Sequence, residues 1–173
     1  MEAVTSSGTP HRGGQAATVT LPTDEQILIR REFDAPKHLV YEAYTTPELV
    51  KRWWSARRGE VTTCQIDLRV GGSWRYAMVT EDGFEVAFHG EYREIVPNER
   101  IVSTEIFEGM PEGLPEEVSV NTATFTEENG RTMLEILVQH SSKAFRDGHI
   151  ESGMEPGLQD ALDLLEEVAG SLR

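Results

Sequence analysis

The spacing of apolar residues changes once along the chain, from a period of two to a period between three and four. From Gln26 to Gln139, apolar residues mostly alternate with polar ones, a pattern typical of half-buried β-strands. From about Gly153 to Ser171, Met, Leu, Ala and Val instead recur every three or four residues, with acidic residues between them. This second pattern predicts a long amphipathic helix.

Two short helices are predicted directly after the first strand, Gln26–Phe33. Asp34 follows that strand and is expected to cap the first helix. Pro47 suits the first turn of a second helix, which is expected to end near the paired tryptophans Trp53 and Trp54. The strand and the two helices together precede the rest of the sheet.

Turn signals divide the following apolar runs into a meander of strands. Asn129-Gly130 is typical of a type I′ hairpin, and Glu81-Asp82-Gly83 of another tight turn. A sheet and a long helix each have one apolar face, so each must cover the other. The sequence therefore predicts an α+β fold, in which a curved antiparallel sheet of about six or seven strands wraps around the C-terminal helix.

The start of the chain lacks this patterning. Residues 1–22 are rich in Gly, Ser, Thr and Ala, so they are predicted to form a disordered tail that adds nothing to stability. Residues 23–173 are then expected to form one domain. No apolar run is long enough to span a membrane and no signal peptide is recognised, so we expect no membrane partner and a cytoplasmic location.

Charge and cysteine content narrow the functional classes. The formal net charge is −14, which repels phosphate backbones, so nucleic acid is not an expected partner. Cys64 is the one cysteine and cannot form an internal disulfide.

No catalytic motif stands out. His89 is expected to face solvent, opposite Phe88, and His140 and His149 flank a loop without the spacing of a zinc site. No G-x-S-x-G nucleophile motif is present. We therefore predict no catalytic residues, no metal and no cofactor, and we do not favour an enzyme.

The predicted site is a cavity between the sheet and the long helix, where a curved sheet leaves room for a small molecule. One of the two adjacent tryptophans is expected to pack in the core and the other to border this cavity. The predicted lining residues are Trp53, Trp54, Trp74, Tyr76, Met78, Phe88, Tyr92, Met154, Leu158 and Leu162.

Five segments of the chain carry a resemblance to a known family. They are RREFDAP, VYEAYTTPELVKRWW, DLRVGGSWRYAM, HGEYREIVPNERIVST and RDGHIESGMEPGLQDALDLLEE. In this order they resemble the START-like, helix-grip (SRPBCC) superfamily, and within it the homologues of the heat-shock-protein ATPase activator. The resemblance covers about Gln26 to Leu172 and implies a helix-grip fold. One departure is Ser55-Ala56-Arg57-Arg58, where relatives often have Gly and Pro, so this lip of the cavity is expected to differ in shape and charge.

The leading hypothesis is a domain that binds an apolar or aromatic small molecule. The first alternative is a cyclase, dehydratase or hydrolase acting on an aromatic or polyketide-like substrate, with Tyr76 or a cavity carboxylate as acid or base. The second is a co-chaperone-like interaction domain, which the resemblance alone suggests. An ionisable residue facing the cavity favours the enzyme, and a wholly apolar cavity favours the binding domain. A homodimer and a chaperone partner are left open.

Overall fold

The computed structural model of the protein describes residues 2–4, 16–110 and 112–173. Within these residues the chain forms nine strands and four helices. In chain order they are β1 (Glu2–Val4), β2 (Thr18–Leu21), β3 (Gln26–Phe33), α1 (Lys37–Thr45), α2 (Pro47–Val50), β4 (Gly59–Ile66), β5 (Ser73–Thr80), β6 (Glu85–Val96), β7 (Arg100–Phe107), β8 (Ser119–Glu128), β9 (Arg131–Gln139), α3 (Lys143–Glu151) and α4 (Met154–Ser171).

The described strands join one antiparallel sheet, in the spatial order β1-β2-β3-β9-β8-β7-β6-β5-β4. Strands β4 to β9 follow one another as a meander, and β3 lies beside the last of them. The predicted α+β fold, with a long C-terminal helix against an antiparallel sheet, is confirmed. The sheet has more strands than predicted, because β1 and β2 extend it beyond β3.

Part of the segment predicted to be a disordered tail is a strand. Residues 18–21 form β2, which pairs with β3, and Val19 is buried. The side chain of Gln159 on α4 holds the residue before the strand. It accepts a hydrogen bond from the Ala17 N–H at 2.9 Å and donates one to the Ala17 carbonyl at 2.8 Å. The tail prediction is therefore wrong for this part and for residues 2–4, which form β1, while residues 1 and 5–15 lie outside the described residues.

The two short helices after β3 are present, but their ends differ from the prediction. Pro36, not Asp34, is the N-cap residue of α1, and the Lys37 N–H at that end donates a hydrogen bond to Glu127 Oε1 on β8 at 2.7 Å. The backbone N–H of Asp34 instead donates to Glu166 on α4 at 3.1 Å. Helix α2 ends at Val50, and turns carry the chain past the two tryptophans.

Helix α3 was not predicted. Ser142 caps it by accepting a hydrogen bond from the Phe145 N–H at 3.2 Å. Gly153 then separates α3 from α4 with a φ of 81°, a left-handed conformation that glycine adopts without a Cβ clash.

Helix α4 buries the apolar stripe that its sequence predicted. The buried residues include Leu162, Leu165 and Val168, which join residues of β3 and β9 in one hydrophobic core. The fully buried Arg31 of β3 lies against the same helix, with its Nη1 2.6 Å from Asp163 Oδ1 and its Nη2 3.6 Å from Glu166 Oε1. We call the side of the sheet that carries α4 the inner face.

Candidate functional site

The inner face can be followed from β3 across the sheet, because directly paired residues point to the same side. Ile29 on β3 pairs with Ile136 on β9, which pairs with Ala123 on β8. Ala123 in turn pairs with Ile101 on β7. Since residues two apart on a strand share a side, Glu105 lies on the inner face together with Ile101.

The same reasoning places the aromatic residues of the neighbouring strands. Phe107, two residues beyond Glu105, pairs with Phe88 on β6. Phe88 pairs with Tyr76 on β5, and Tyr76 pairs with Cys64 on β4. These side chains therefore also lie on the inner face.

An aromatic cluster covers this part of the inner face, and we define it as Trp54, Trp74, Tyr76, Phe88 and Phe107. The ring centroid of Trp54 lies 5.5 Å from that of Tyr76 and 6.0 Å from that of Phe88, both edge-on. Phe88 and Phe107 are 5.2 Å apart, and Trp74 and Tyr76 are 4.9 Å apart. Four of the ten predicted lining residues thus belong to one contiguous group.

The two adjacent tryptophans have different environments. Trp53 is buried, stacks on Tyr44 at 5.7 Å, and donates its indole N–H to the Ala43 carbonyl at 2.9 Å. Trp54 is half-buried and contacts the strands through the aromatic cluster. Trp53 is therefore the packing residue of the pair, and Trp54 is the one that faces the predicted site.

Trp74 is fixed in place by a hydrogen bond across the sheet. It is buried, and its indole N–H donates to the Thr104 carbonyl at 3.1 Å. Gly90 lies between these two groups, since a Cβ there would be 1.8 Å from the Thr104 oxygen and 2.6 Å from the Trp74 Nε1. The lack of a side chain at Gly90 lets the indole cross β6.

The remaining predicted lining residues divide between core and partly exposed positions. Tyr92 and Leu162 are buried in the core. Met154 and Leu158 on α4 are half-buried and pack against it, and Met78 on β5 is also half-buried. Ligand binding by these residues stays a prediction.

Two polar residues next to the aromatic cluster were missed by the sequence analysis. Asn121 on β8 lies on the inner face beside Val138, its partner on β9. Its Nδ2 donates a hydrogen bond to Glu105 Oε2 at 3.0 Å. Its Oδ1 is buried and has no hydrogen-bond partner among the residues that the structure describes. The inner face is therefore aromatic but not wholly apolar.

Burial changes the acid–base properties of several inner-face groups. It raises the pKa of the Glu105 carboxyl above its ordinary value, although the hydrogen bond from Asn121 opposes this. It also raises the pKa of Tyr44 and Cys64, to about 12 and about 11, and that of Tyr76 well above 10.0. These four side chains are nevertheless only half-buried. They are strongly desolvated and still have accessible surface.

A histidine pair lies where β8 begins and β9 ends. His140 Nδ1 is 2.8 Å from Glu117 Oε1, and His140 Nε2 is 3.0 Å from His149 Nδ1 on α3. Burial and the neighbouring His140 lower the pKa of His149 to about 4, so its imidazole is neutral at neutral pH. The described residues contain no group of three or more side chains suited to hold a metal ion.

His89 is on the opposite side of the sheet from the aromatic cluster. Its Nδ1 lies 3.0 Å from Glu108 Oε2, and Arg75 binds the same carboxylate at 3.0 Å. These side chains are partly exposed, which agrees with the prediction that His89 faces solvent.

A surface groove of about 410 Å³ is formed by other residues. It is lined by Lys37, Val96, Glu99, Arg100, Thr124, Phe125, Thr126 and Glu127. None of the predicted lining residues borders it, so it is distinct from the predicted site.

The polar residues escaped the sequence analysis for a specific reason. In β7 one alternating set contains Ile101 and Glu105, and the other contains Val102 and Thr104, so neither set is clearly the buried one. The contacts of His140 with Glu117 and His149 join separate elements, so the spacing of these residues along the chain does not predict them. The signal that could have revealed the polar site was Glu105, a charged residue in the same alternating set of β7 as the apolar Ile101.

In the part of the chain described, no helix combines the length and the apolar character that crossing a membrane requires.

Comparison with known proteins agrees with the fold. A solved structure from Rhodobacter sphaeroides, 21% identical in sequence, superposes with a TM-score of 0.81 over 91% of this chain and 99% of that one. One from Mycobacterium smegmatis, 23% identical, gives 0.79 over 92% and 100%. Another from Chromobacterium violaceum, 26% identical, gives 0.70 over 85% and 98%.

The sequence comparison identifies the family. No curated protein is a significant match. The sequence model of one family, described as Activator of Hsp90 ATPase homolog 1-like protein, matches residues 34–170, which is most of the chain. The protein therefore belongs to the family of Activator of Hsp90 ATPase homolog 1-like proteins, within the START-like (SRPBCC) superfamily.

Proposed function

We propose that the domain binds a small molecule with a flat, largely apolar body in a cavity against the aromatic cluster. One observation carries this proposal: the five rings of the aromatic cluster form one contiguous group on the inner face, and Trp54, Tyr76 and Phe88 in it keep accessible surface. Such surface is expected where side chains border a sheltered space rather than bulk water. Membership of a superfamily of ligand-binding domains supports the same reading.

The chemistry of the cluster fits a flat ligand. Aromatic rings bury large areas and favour edge-on or offset contacts with another ring. Small-molecule sites are mostly lined by apolar and aromatic side chains, with a few polar groups that fix the orientation of the ligand. Trp54 and Phe88 would supply such apolar contacts, and Glu105 and Asn121 such polar groups.

The test uses N-phenylnaphthylamine, an uncharged probe whose fluorescence rises in an apolar site. We expect saturable binding to the wild-type protein, weaker binding to Trp54→Ala and nearly unchanged binding to Trp54→Phe, because a ring is kept. Trp74 is a poorer choice for the same pair of substitutions, since its N–H bonds the Thr104 carbonyl. Phe84→Ala is the matched control, because Phe84 is 69% exposed in the turn between β5 and β6. Absence of saturable binding, or equal loss in the control, would contradict the proposal.

The structure also gives an argument for the enzyme alternative. Glu105 is an ionisable group on the inner face, and burial keeps its carboxyl protonated to a higher pH than usual. Such a group could serve as an acid or base for an aromatic or polyketide-like substrate. If so, Glu105→Gln would abolish turnover and leave N-phenylnaphthylamine binding intact. A chaperone as protein partner rests on the family name alone.

A further inference from the structure

The polar group beside the aromatic cluster offers mainly acceptors of hydrogen bonds. Asn121 uses an N–H to donate to Glu105 Oε2, which leaves its own Oδ1 buried and unpartnered in the part of the chain described. Buried acceptors usually have a hydrogen-bond partner, so an unpartnered acceptor at a binding site is expected to accept a hydrogen bond from the ligand. Glu105 adds its carboxyl oxygens, which can only accept hydrogen bonds when the group is ionised and keep one acceptor oxygen when it is protonated.

The Glu105 carboxyl has no Lys or Arg partner among the described residues. The other ionisable groups that influence its pKa are His140, which lowers it, and Glu117, which raises it. His140 is already engaged, with Nδ1 on Glu117 and Nε2 on His149. A carboxyl that is desolvated without a counter-ion attracts an incoming positive charge.

The position of Glu105 relative to the aromatic cluster sets the distance between the head and the body of a ligand. Glu105 and Phe107 are two residues apart on the same side of β7, a separation of about 7 Å along the strand. A ring against Phe88 and Phe107 could therefore place a substituent of two or three bonds near Glu105. No metal is needed for such recognition, because a carboxylate and an amide oxygen bind ammonium groups directly.

We infer that Glu105 and Asn121 form a head-group subsite that selects ligands with a hydrogen-bond-donating head, of which an amine in its ammonium form fits best. The body of the same ligand lies against the aromatic cluster. This inference deepens the proposed function and rests on it. It identifies the ligand class as aromatic or apolar amines, and it predicts that matching carboxylic acids are rejected by like-charge repulsion.

The experiment uses a series with one aromatic body and four heads: naphthylethylamine, naphthylethanol, the methyl ether of that alcohol, and naphthylacetate. Isothermal titration calorimetry gives the dissociation constant of each with the full-length protein. We expect the order amine, alcohol, ether, acid from tightest to weakest, with the amine at least about tenfold tighter than the ether. This order needs no variant and therefore does not depend on a substituted protein folding.

Two variants assign the preference to the subsite. Glu105→Gln keeps the size and removes the charge, so the preference for the amine over the ether should fall to about the preference shown for the alcohol. Glu81→Gln is the control, because it removes the same charge at an exposed turn residue. The titrations are repeated at about 0.5 M salt, which screens general attraction to the acidic surface. The preference of the wild-type protein should persist there.

The outcomes separate this inference from the proposed function. If no member of the series binds and N-phenylnaphthylamine does not bind either, the proposed function fails. If all four bind with similar affinity, or the acid binds best, the ligand cavity stands and the head-group inference is overturned. A preference for the amine that disappears in salt, or that survives in Glu105→Gln, also overturns it.

Discussion

At the scale of single residues, the most informative group is a carboxyl on the inner face of the sheet. Burial raises the pKa of Glu105 above its ordinary 4.5, so folding favours its protonated form. The unfolded chain restores the ordinary pKa. Ionisation of Glu105 in the folded state therefore takes place in surroundings less favourable than water.

Glu105→Gln is expected to raise the free energy of unfolding at neutral pH. The raised pKa makes the folded state bind its proton more tightly, so the penalty is absent below pH 4.5 and grows as pH rises through the folded-state pKa. The gain from the substitution should shrink accordingly in acid. Urea unfolding at neutral pH and below 4.5 measures this, with Glu81→Gln at an exposed turn residue as the control. A destabilised variant at neutral pH would show that Glu105 is compensated by a charge.

Gly90→Ala tests the close approach that places Trp74. The new Cβ would lie 1.8 Å from the Thr104 carbonyl oxygen, which is backbone and cannot move without disturbing β7. We expect the free energy of unfolding to fall by about 3 kcal/mol or more, at the upper end of overpacking effects. Gly148→Ala on α3 is the control, because nothing lies within 4 Å of its Cβ. That control should gain up to about 1 kcal/mol from helix propensity. Equal behaviour of the two variants in chemical denaturation would refute the packing argument.

At the scale of secondary-structure elements, the contact between β3 and α4 combines an apolar stripe with a buried cation. Arg31 is fully buried, and its guanidinium lies between Asp163 and Glu166 on the helix. Removal of one partner from a buried ion pair leaves the other charges uncompensated, which costs more than the pair contributes. The arginine therefore fixes where the helix sits on the sheet.

Two neighbouring arginines make the matched comparison. Arg31→Met should lower the free energy of unfolding by about 3–5 kcal/mol, because Asp163 and Glu166 both lose their contact with the buried guanidinium. Arg30→Met should change it by at most about 1 kcal/mol, since Arg30 is 49% exposed and pairs with the 41% exposed Glu135. Thermal and urea unfolding of both variants give the comparison. A small effect of Arg31→Met would mean that the helix is held by its apolar stripe alone.

The elements with clear periodicity could be predicted from the sequence, and the others could not. Helix α4 has a regular stripe over five turns, and the Asn129-Gly130 hairpin has positive φ angles of 55° and 76°, as a type I′ turn requires. Helix α3 spans nine residues, includes Gly148 and has no apolar stripe of that kind. Strand β2 has four residues, and its order depends on pairing with β3 and on Gln159. Such long-range partners are invisible to a local pattern.

At the scale of the whole molecule, the sheet extends beyond the predicted domain boundary. Strand β2 covers one edge of β3, buries Val19 and is tied to α4 through Ala17 and Gln159. The candidate site lies on the inner face towards the opposite edge of the sheet, on strands β4 to β8. Its aromatic residues on β5 and β6 could be predicted from strand alternation, whereas Phe107 on β7 was not predicted. Its polar part could not, because Glu105 and Asn121 meet only through the register of β7 and β8.

Two truncations test the N-terminal boundary. A chain that begins at Pro22 should lose about 1.5–3 kcal/mol relative to one that begins at Ala16, from the loss of Val19 burial alone. It should also self-associate more readily, because β3 becomes an exposed edge strand. Thermal unfolding and size-exclusion chromatography measure both effects. Identical melting temperatures for the two chains would show that residues 16–21 are dispensable for stability.

The outer edge at β4 has a consequence for how the protein behaves in crowded solution. Its pairing with β5 shifts register between Val61 and Thr63, and exposed Glu60 and Gln65 lie on either side of this irregularity. A bulged, polar strand presents a broken row of backbone groups, so another molecule cannot extend the sheet there in regular register. With a formal charge of −14, the molecules also repel one another at a distance. This side of the sheet is thus shielded against fibre-like stacking, and high concentrations should remain clear rather than gel.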